Sequence, residues 1–188
     1  MTADEFAHVL RLQTPKGLGN IGEFIVSSIK GFKFSNSSSE DLIDRHGNAI
    51  EVKAARIQKV SSTKSRKILT ISDQARQLFT VGTSRSVKIA DLDKHKVSGW
   101  INWIKPDKFD FLCCVLLFDD AANIVQYKKK QVLNNPIFTF NANKDGIDNY
   151  EMHLNNSIIA KMIDDQLEQV TYEYLIDRFN LSHHDPYG

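Results

Sequence analysis

The sequence predicts a mixed α/β (α+β) protein: a central mixed β-sheet flanked by helices. Three observations carry this expectation. Phe109–Phe118 is apolar almost throughout, as a strand covered on both faces must be. Two shorter runs, Asp41–Asp44 and Ala49–Ile57, are separated by Arg45-His46-Gly47-Asn48, residues that tolerate the left-handed dihedrals of a tight turn. Amphipathic helical spacing brackets these strands, at Asn20–Ile29 and at Asn156–Val170, which gives the order of a sheet flanked by helices.

In chain order, the first helix is Asn20–Ile29, where Ile21, Phe24, Ile25 and Ile29 share a face and Asn20 is the expected N-cap. The two runs joined by the Gly47 turn pair as neighbouring strands. Lys67–Ile71 is assigned as strand and Ser72–Phe79 as a short helix. Asp91–Ile104 is assigned as a helix capped by Asp91, with Trp100 and Ile104 on one face. Phe109–Phe118 lies at the sheet centre, and Asn123–Val132 is its hairpin neighbour. Asn156–Val170 is amphipathic through Ile158, Ile159, Met162, Ile163, Leu167 and Val170, and Thr171–Phe179 forms a last helix.

The 188 residues fit one domain, 1–188, with a core large enough to need neither disulfides nor a structural metal. With 41% hydrophobic and 25% charged residues, a disordered or fibrous chain is excluded. The adjacent pair Cys113–Cys114 lacks zinc-site spacing and reads as buried thiols. No apolar stretch reaches transmembrane length and MTADEFAHVL is not a signal sequence, so a soluble cytoplasmic protein is expected. The formal net charge of +1 hides an asymmetry. Val52–Ser72 carries six basic residues and no acidic one, whereas the acidic, helical C-terminal part from about residue 145 carries eight acidic and two basic residues over Asp145–Arg178. The basic stretch suits a polyanion, with the acidic part facing away from it.

Chemistry concentrates in Asp41–Lys53. Glu51 and Lys53, two apart on a strand, project from one face. Pairing through the turn at Gly47 brings Asp41 beside them, so two carboxylates and an ammonium converge. Two carboxylates and a backbone carbonyl offer hard oxygen ligands to Mg²⁺. Such a metal lowers the pKa of bound water, and a lysine stabilises the phosphoryl transition state. Basic residues in and after the strand then neutralise flanking phosphates.

Asp41, Asp44, Gly47, Glu51 and Lys53, with the preceding helix that carries Glu23, resemble the PD-(D/E)xK nuclease superfamily, and within it type II restriction endonucleases of the PvuII kind. The resemblance covers roughly residues 17–57; Glu40 stands where a proline often precedes the first acid. It implies a restriction-endonuclease-like fold and a Mg²⁺-dependent homodimeric endonuclease that hydrolyses double-stranded DNA at a short specific sequence. Asp41, Glu51 and the Val52 carbonyl would be metal ligands and Lys53 the catalytic lysine, with Glu23 and Asp44 in support. DNA contacts are expected from Arg56, Lys59, Lys64, Arg66, Lys67, Arg85 and Lys88. Two other functions stay open: a repair or recombination nuclease that recognises DNA structure, and a non-cleaving DNA-binding module on the same fold.

Other motifs take plainer readings. Gly17-Leu-Gly-Asn-Ile-Gly22 matches a dinucleotide-binding pattern but lacks the preceding strand. His46 is a turn residue, and the remaining histidines show no metal-ligand spacing. Trp100 and Trp103 are assigned to the core. Lys128–Lys130 closes a strand as a solvated edge.

Overall fold

A computed structural model describes residues 1–36, 40–60, 85–142, 148–165 and 168–179. In chain order these form α1 (Ala3–Leu12), α2 (Pro15–Lys30), β1 (Lys33–Phe34), β2 (Leu42–Ile43), β3 (Ala49–Arg56) and β4 (Gln58–Lys59). A 3₁₀ turn at Ile89–Lys94 leads to β5 (Val97–Ile104), and a second one at Pro106–Lys108 leads to β6 (Phe111–Leu117). Then follow β7 (Ala121–Lys128), α3 (Lys129–Asn134), β8 (Thr139–Ala142), β9 (Asp148–Leu154), α4 (Asn156–Asp164), β10 (Glu168–Thr171) and α5 (Tyr172–Arg178). The expected strands Lys67–Ile71 and helix Ser72–Phe79 lie outside the described residues, as do Lys64, Arg66 and Lys67.

The protein is mixed α/β, as its sequence predicts. One sheet has the order β1-β2-β3-β6-β7-β10; β3 and β6 are parallel and the other neighbours antiparallel. A second, antiparallel sheet has the order β4-β5-β9-β8. Central β6 is buried on both faces, which is why it needs no polar alternation. The adjacent cysteines follow the two-residue strand period to opposite sides. Cys113 packs with Val115 and Leu117 against α1, α2 and α5, while Cys114 packs with Leu112 and Leu116 toward the second sheet and α4. Both thiols are buried and free, and burial pushes the Cys113 thiol up to about 12, so neither serves as a nucleophile at neutral pH.

The structure corrects three expected elements. The first expected helix is longer: Thr14, not Asn20, caps α2, and Pro15 occupies its first turn. Gly17–Gly22 therefore lies inside a helix, where it cannot form a phosphate loop. Asp91–Ile104 is not a helix but a 3₁₀ turn followed by β5. Asn156–Val170 divides, since α4 ends at Asp164 and Glu168–Thr171 pairs with β7 at the sheet edge.

The approach of α2 to β3 positions the site. Gly22 faces the strand so closely that an added Cβ would lie 2.8 Å from the Ala54 Cβ and 3.6 Å from Val52. The missing side chain lets the helix sit down on β3, with Leu18, Ile25 and Val26 buried around the contact. Among the described residues, no helix is long and apolar enough to cross a membrane.

Candidate active site

Asp44 builds the turn that sets the register. Its carboxylate accepts hydrogen bonds from the His46 N–H (2.8 Å), the Asn48 N–H (2.9 Å) and the Asn48 side-chain amide (2.7 Å). These bonds, led by the Asn48 side chain, hold its pKa below the ordinary carboxylate value. Gly47 takes the left-handed conformation there, φ 83°. Closing the chain in this way pairs Leu42 with Ile50 and Ile43 with Ala49, and Asp41, just beyond the ladder, donates its N–H to the Ile50 carbonyl at 3.2 Å. Glu51 and Lys53, two positions apart on β3, share a face. The charges of Asp41 and Lys53 both act on the Glu51 carboxyl, so the three groups are gathered at this edge of the strand.

The same geometry opens a cleft. The Asp41 carboxylate accepts the Val52 N–H at 2.7 Å, at the point where the ladder of β2 has ended. The N–H and C=O of one extended residue leave a strand on the same side, so the Val52 carbonyl is directed to this edge too. The Lys53 ammonium forms an ion pair with Glu51. A cleft of about 500 Å³ lies against this edge. Lys16, Gly19, Asn20 and Glu23 line it from α2, Asp41 and Val52–Ala54 from the sheet, and Trp100–Trp103 from β5.

Glu23 joins the cluster electrostatically. Burial first, and then the charge of Asp41, raise its pKa; Lys53 acts in the opposite direction. The Glu51 carboxyl, 13% exposed, is likewise raised by burial, with Asp41 adding to the shift and Lys53 opposing it. A carboxyl whose pKa is raised on folding contributes its full stability below the ordinary value. It loses that contribution as pH rises through the folded value. Glu23→Gln should therefore raise stability at neutral pH, by at most about 0.5 kcal/mol because solvent screens so accessible a group. The gain should vanish near pH 4, close to the ordinary glutamate value. Thermal melts of both proteins at the two pH values check this; equal melting temperatures at neutral pH would contradict it.

The donor set fits a hard divalent cation. Among the described residues no three His, Cys, Asp or Glu side chains form a ready-made metal cage. The set consists of two neighbouring carboxylates, of which Asp41 raises the proton affinity of Glu51, and a backbone carbonyl beside them. Mg²⁺ commonly takes one or two carboxylates and completes its shell with water and substrate phosphate.

The other expected DNA contacts do not line this cleft. Arg56 is half buried and donates to the Leu10 carbonyl and, at 3.2 Å, to the Gln13 carbonyl, tying the end of α1 to β3. Burial lowers its pKa. Its guanidinium is thus engaged with the protein backbone. Lys59 and Arg85 are neighbours, joined by a 2.7 Å bond from the Lys59 N–H to the Arg85 carbonyl, and Lys88 is exposed just beyond. Sequence reasoning missed Lys16, Asn20 and Asn102. The spacing of Lys16, Gly19, Asn20 and Glu23 along one helical face was the available signal. Trp100 and Trp103 were expected in the core but are 55% and 53% exposed.

Neither a protein-family model nor a curated protein sequence matches this chain.

Proposed function

We propose that the protein is a Mg²⁺-dependent endodeoxyribonuclease of the PD-(D/E)xK type that cuts double-stranded DNA at a specific short sequence as a homodimer, in the manner of type II restriction endonucleases. The observation that carries this reading is the convergence of Asp41, Glu51 and Lys53 at the edge of β3, where a cleft opens.

Asp41, Glu51 and the Val52 carbonyl would hold the metal. Bound there, Mg²⁺ would supply a water of lowered pKa and would offset charge that develops on the phosphate. Lys53, held in place by Glu51, presents its ammonium to the reacting phosphate and stabilises the pentavalent transition state. Lys16 at the exposed start of α2 neutralises a flanking phosphate. Glu23 deepens the negative potential that draws the cation toward Asp41 and Glu51. A two-fold dimer matches a palindromic site and cuts both strands.

The test is incubation of the protein with plasmid DNA. With Mg²⁺, discrete fragments are expected. With EDTA, cutting should cease, and Ca²⁺ should support binding with little cleavage. Full cleavage in EDTA would overturn the metal-assisted reading. A specific observation favours one alternative: the aromatic wall of the cleft suits a repair or recombination nuclease that acts on DNA with unpaired bases. Cleavage confined to branched or gapped DNA, with intact plasmid, would select it.

A further inference from the structure

Both tryptophans of the chain lie on the wall of the cleft that faces the charged cluster. An indole is among the best core-filling groups, so two half-exposed indoles beside one cleft call for an explanation. Trp103 is also the one non-glycine residue with positive φ among the described residues, at 56°. Bulky side chains rarely adopt this conformation. It occurs at an irregularity in the pairing of β5 with β9, between Ile101 and Ile104. Such a bulge re-aims a side chain, and strain of this kind gathers at functional sites. The Lys105 ammonium lies 6.0 Å from the Trp103 ring centre. Trp100 is backed by His153, whose ring is stacked on it at 5.1 Å and 20°.

We propose that Trp100 and Trp103 form a platform on which one unstacked base of the DNA strand rests while its phosphate lies at the Asp41–Glu51–Lys53 cluster. The two walls of the cleft match the two halves of a nucleotide: charge for the phosphate, flat π faces and the exposed Asn102 amide for the base. A cleft of about 500 Å³ takes a nucleotide-sized group, and a base still stacked in a duplex cannot present its face to an indole. Stacking of this sort tolerates every base, since each has a π face. The proposal rests on the nuclease reading for its ligand, a DNA strand, and it adds that this strand is locally unstacked in the complex.

Because both tryptophans of the chain line the cleft, indole emission excited at wavelengths its five tyrosines do not absorb reports on this wall alone. The experiment titrates the full chain in EDTA with a short oligothymidylate and, separately, with an abasic oligonucleotide of equal length. Oligothymidylate should quench the indole emission and the abasic strand should leave it nearly unchanged. Trp103→Gly, whose new residue suits the left-handed backbone, should bind oligothymidylate about tenfold or more weakly with no loss of melting temperature. Trp103→Phe should keep most of the affinity. Equal quenching by the abasic strand, or wild-type affinity in Trp103→Gly, would overturn the platform. The two readings fail separately. Plasmid cutting in Mg²⁺ without base-dependent quenching removes the platform alone. Base-dependent quenching without any cutting removes the nuclease alone.

Discussion

Lys53→Ala should lose DNA cleavage by about 10²–10³-fold while still binding DNA. This is the size of loss that follows removal of one preorganised stabiliser of transition-state charge, roughly 3–4 kcal/mol. The surroundings of Lys53 sharpen the expectation. Its ammonium is paired with Glu51, a mostly buried carboxyl whose charged form burial and Asp41 oppose and Lys53 supports. Removing the lysine takes away a stabilising charge and also drives Glu51 further toward its neutral form, which is a poorer metal ligand. Part of the lost activity should therefore return as pH rises, because Glu51 ionises without its counter-charge only at higher pH. Single-turnover cleavage measured across pH, beside a gel-shift assay in Ca²⁺, separates these effects. Near wild-type cutting by Lys53→Ala would remove the PD-(D/E)xK assignment.

The parts of this site that could be read from sequence are those fixed by short-range chemistry. The Arg45–Asn48 turn needs a left-handed residue, and Gly47 supplies it; the pairing of Leu42 with Ile50, which brings Asp41 to the edge beside Val52, follows from the turn. Central β6 was legible because a strand buried on both faces shows an unbroken apolar run. The opposite wall was not legible. Val97, Trp100, Ile101 and Ile104 fall at helical spacing, but the pattern assumes that every tryptophan is buried. In the structure Val97, Ile101 and Ile104 point inward, and the bulge supplies the odd step between the last two. Gly99 carried the missing signal. It is unfavourable inside a helix, and here an added Cβ would lie 3.0 Å from Ile57, 3.1 Å from Leu154 and 3.2 Å from the Arg56 carbonyl, so glycine lets β5 cross the end of β3 without displacing these neighbours. Glu168–Thr171 escaped for a different reason: pairing with Ala121–Ile124 of β7 draws it into the sheet, a tertiary contact that overrides the amphipathic pattern begun in α4. Helix α1 was missed, although Thr2 and Glu5, which form a reciprocal capping box at its start, carried the signal.

Asp41→Asn should abolish cleavage and leave the fold intact, whereas Asp44→Asn should keep measurable cleavage and lose stability. The two aspartates lie three residues apart, so on an extended chain they face opposite sides. Asp44 spends its oxygens on the turn, accepting from two backbone N–H groups and the Asn48 amide. Its amide replacement keeps one acceptor oxygen and loses the other, which should lower the urea midpoint. Asp41 has one observed backbone bond, from the Val52 N–H, and a single amide oxygen can still accept it. What Asp41→Asn removes is the charge. That charge raises the proton affinity of both Glu23 and Glu51, so the variant should also shift the titration of these carboxyls downward, an effect independent of turnover. Carboxyl titrations followed by NMR, urea melts and plasmid cleavage in Mg²⁺ together resolve the pair. A dead Asp44→Asn beside an active Asp41→Asn would place the metal at the turn rather than at the strand edge. It would also detach Glu51 and Lys53 from the reaction, because it is Asp41, not Asp44, whose carboxylate accepts the Val52 N–H between them and whose charge acts on Glu51.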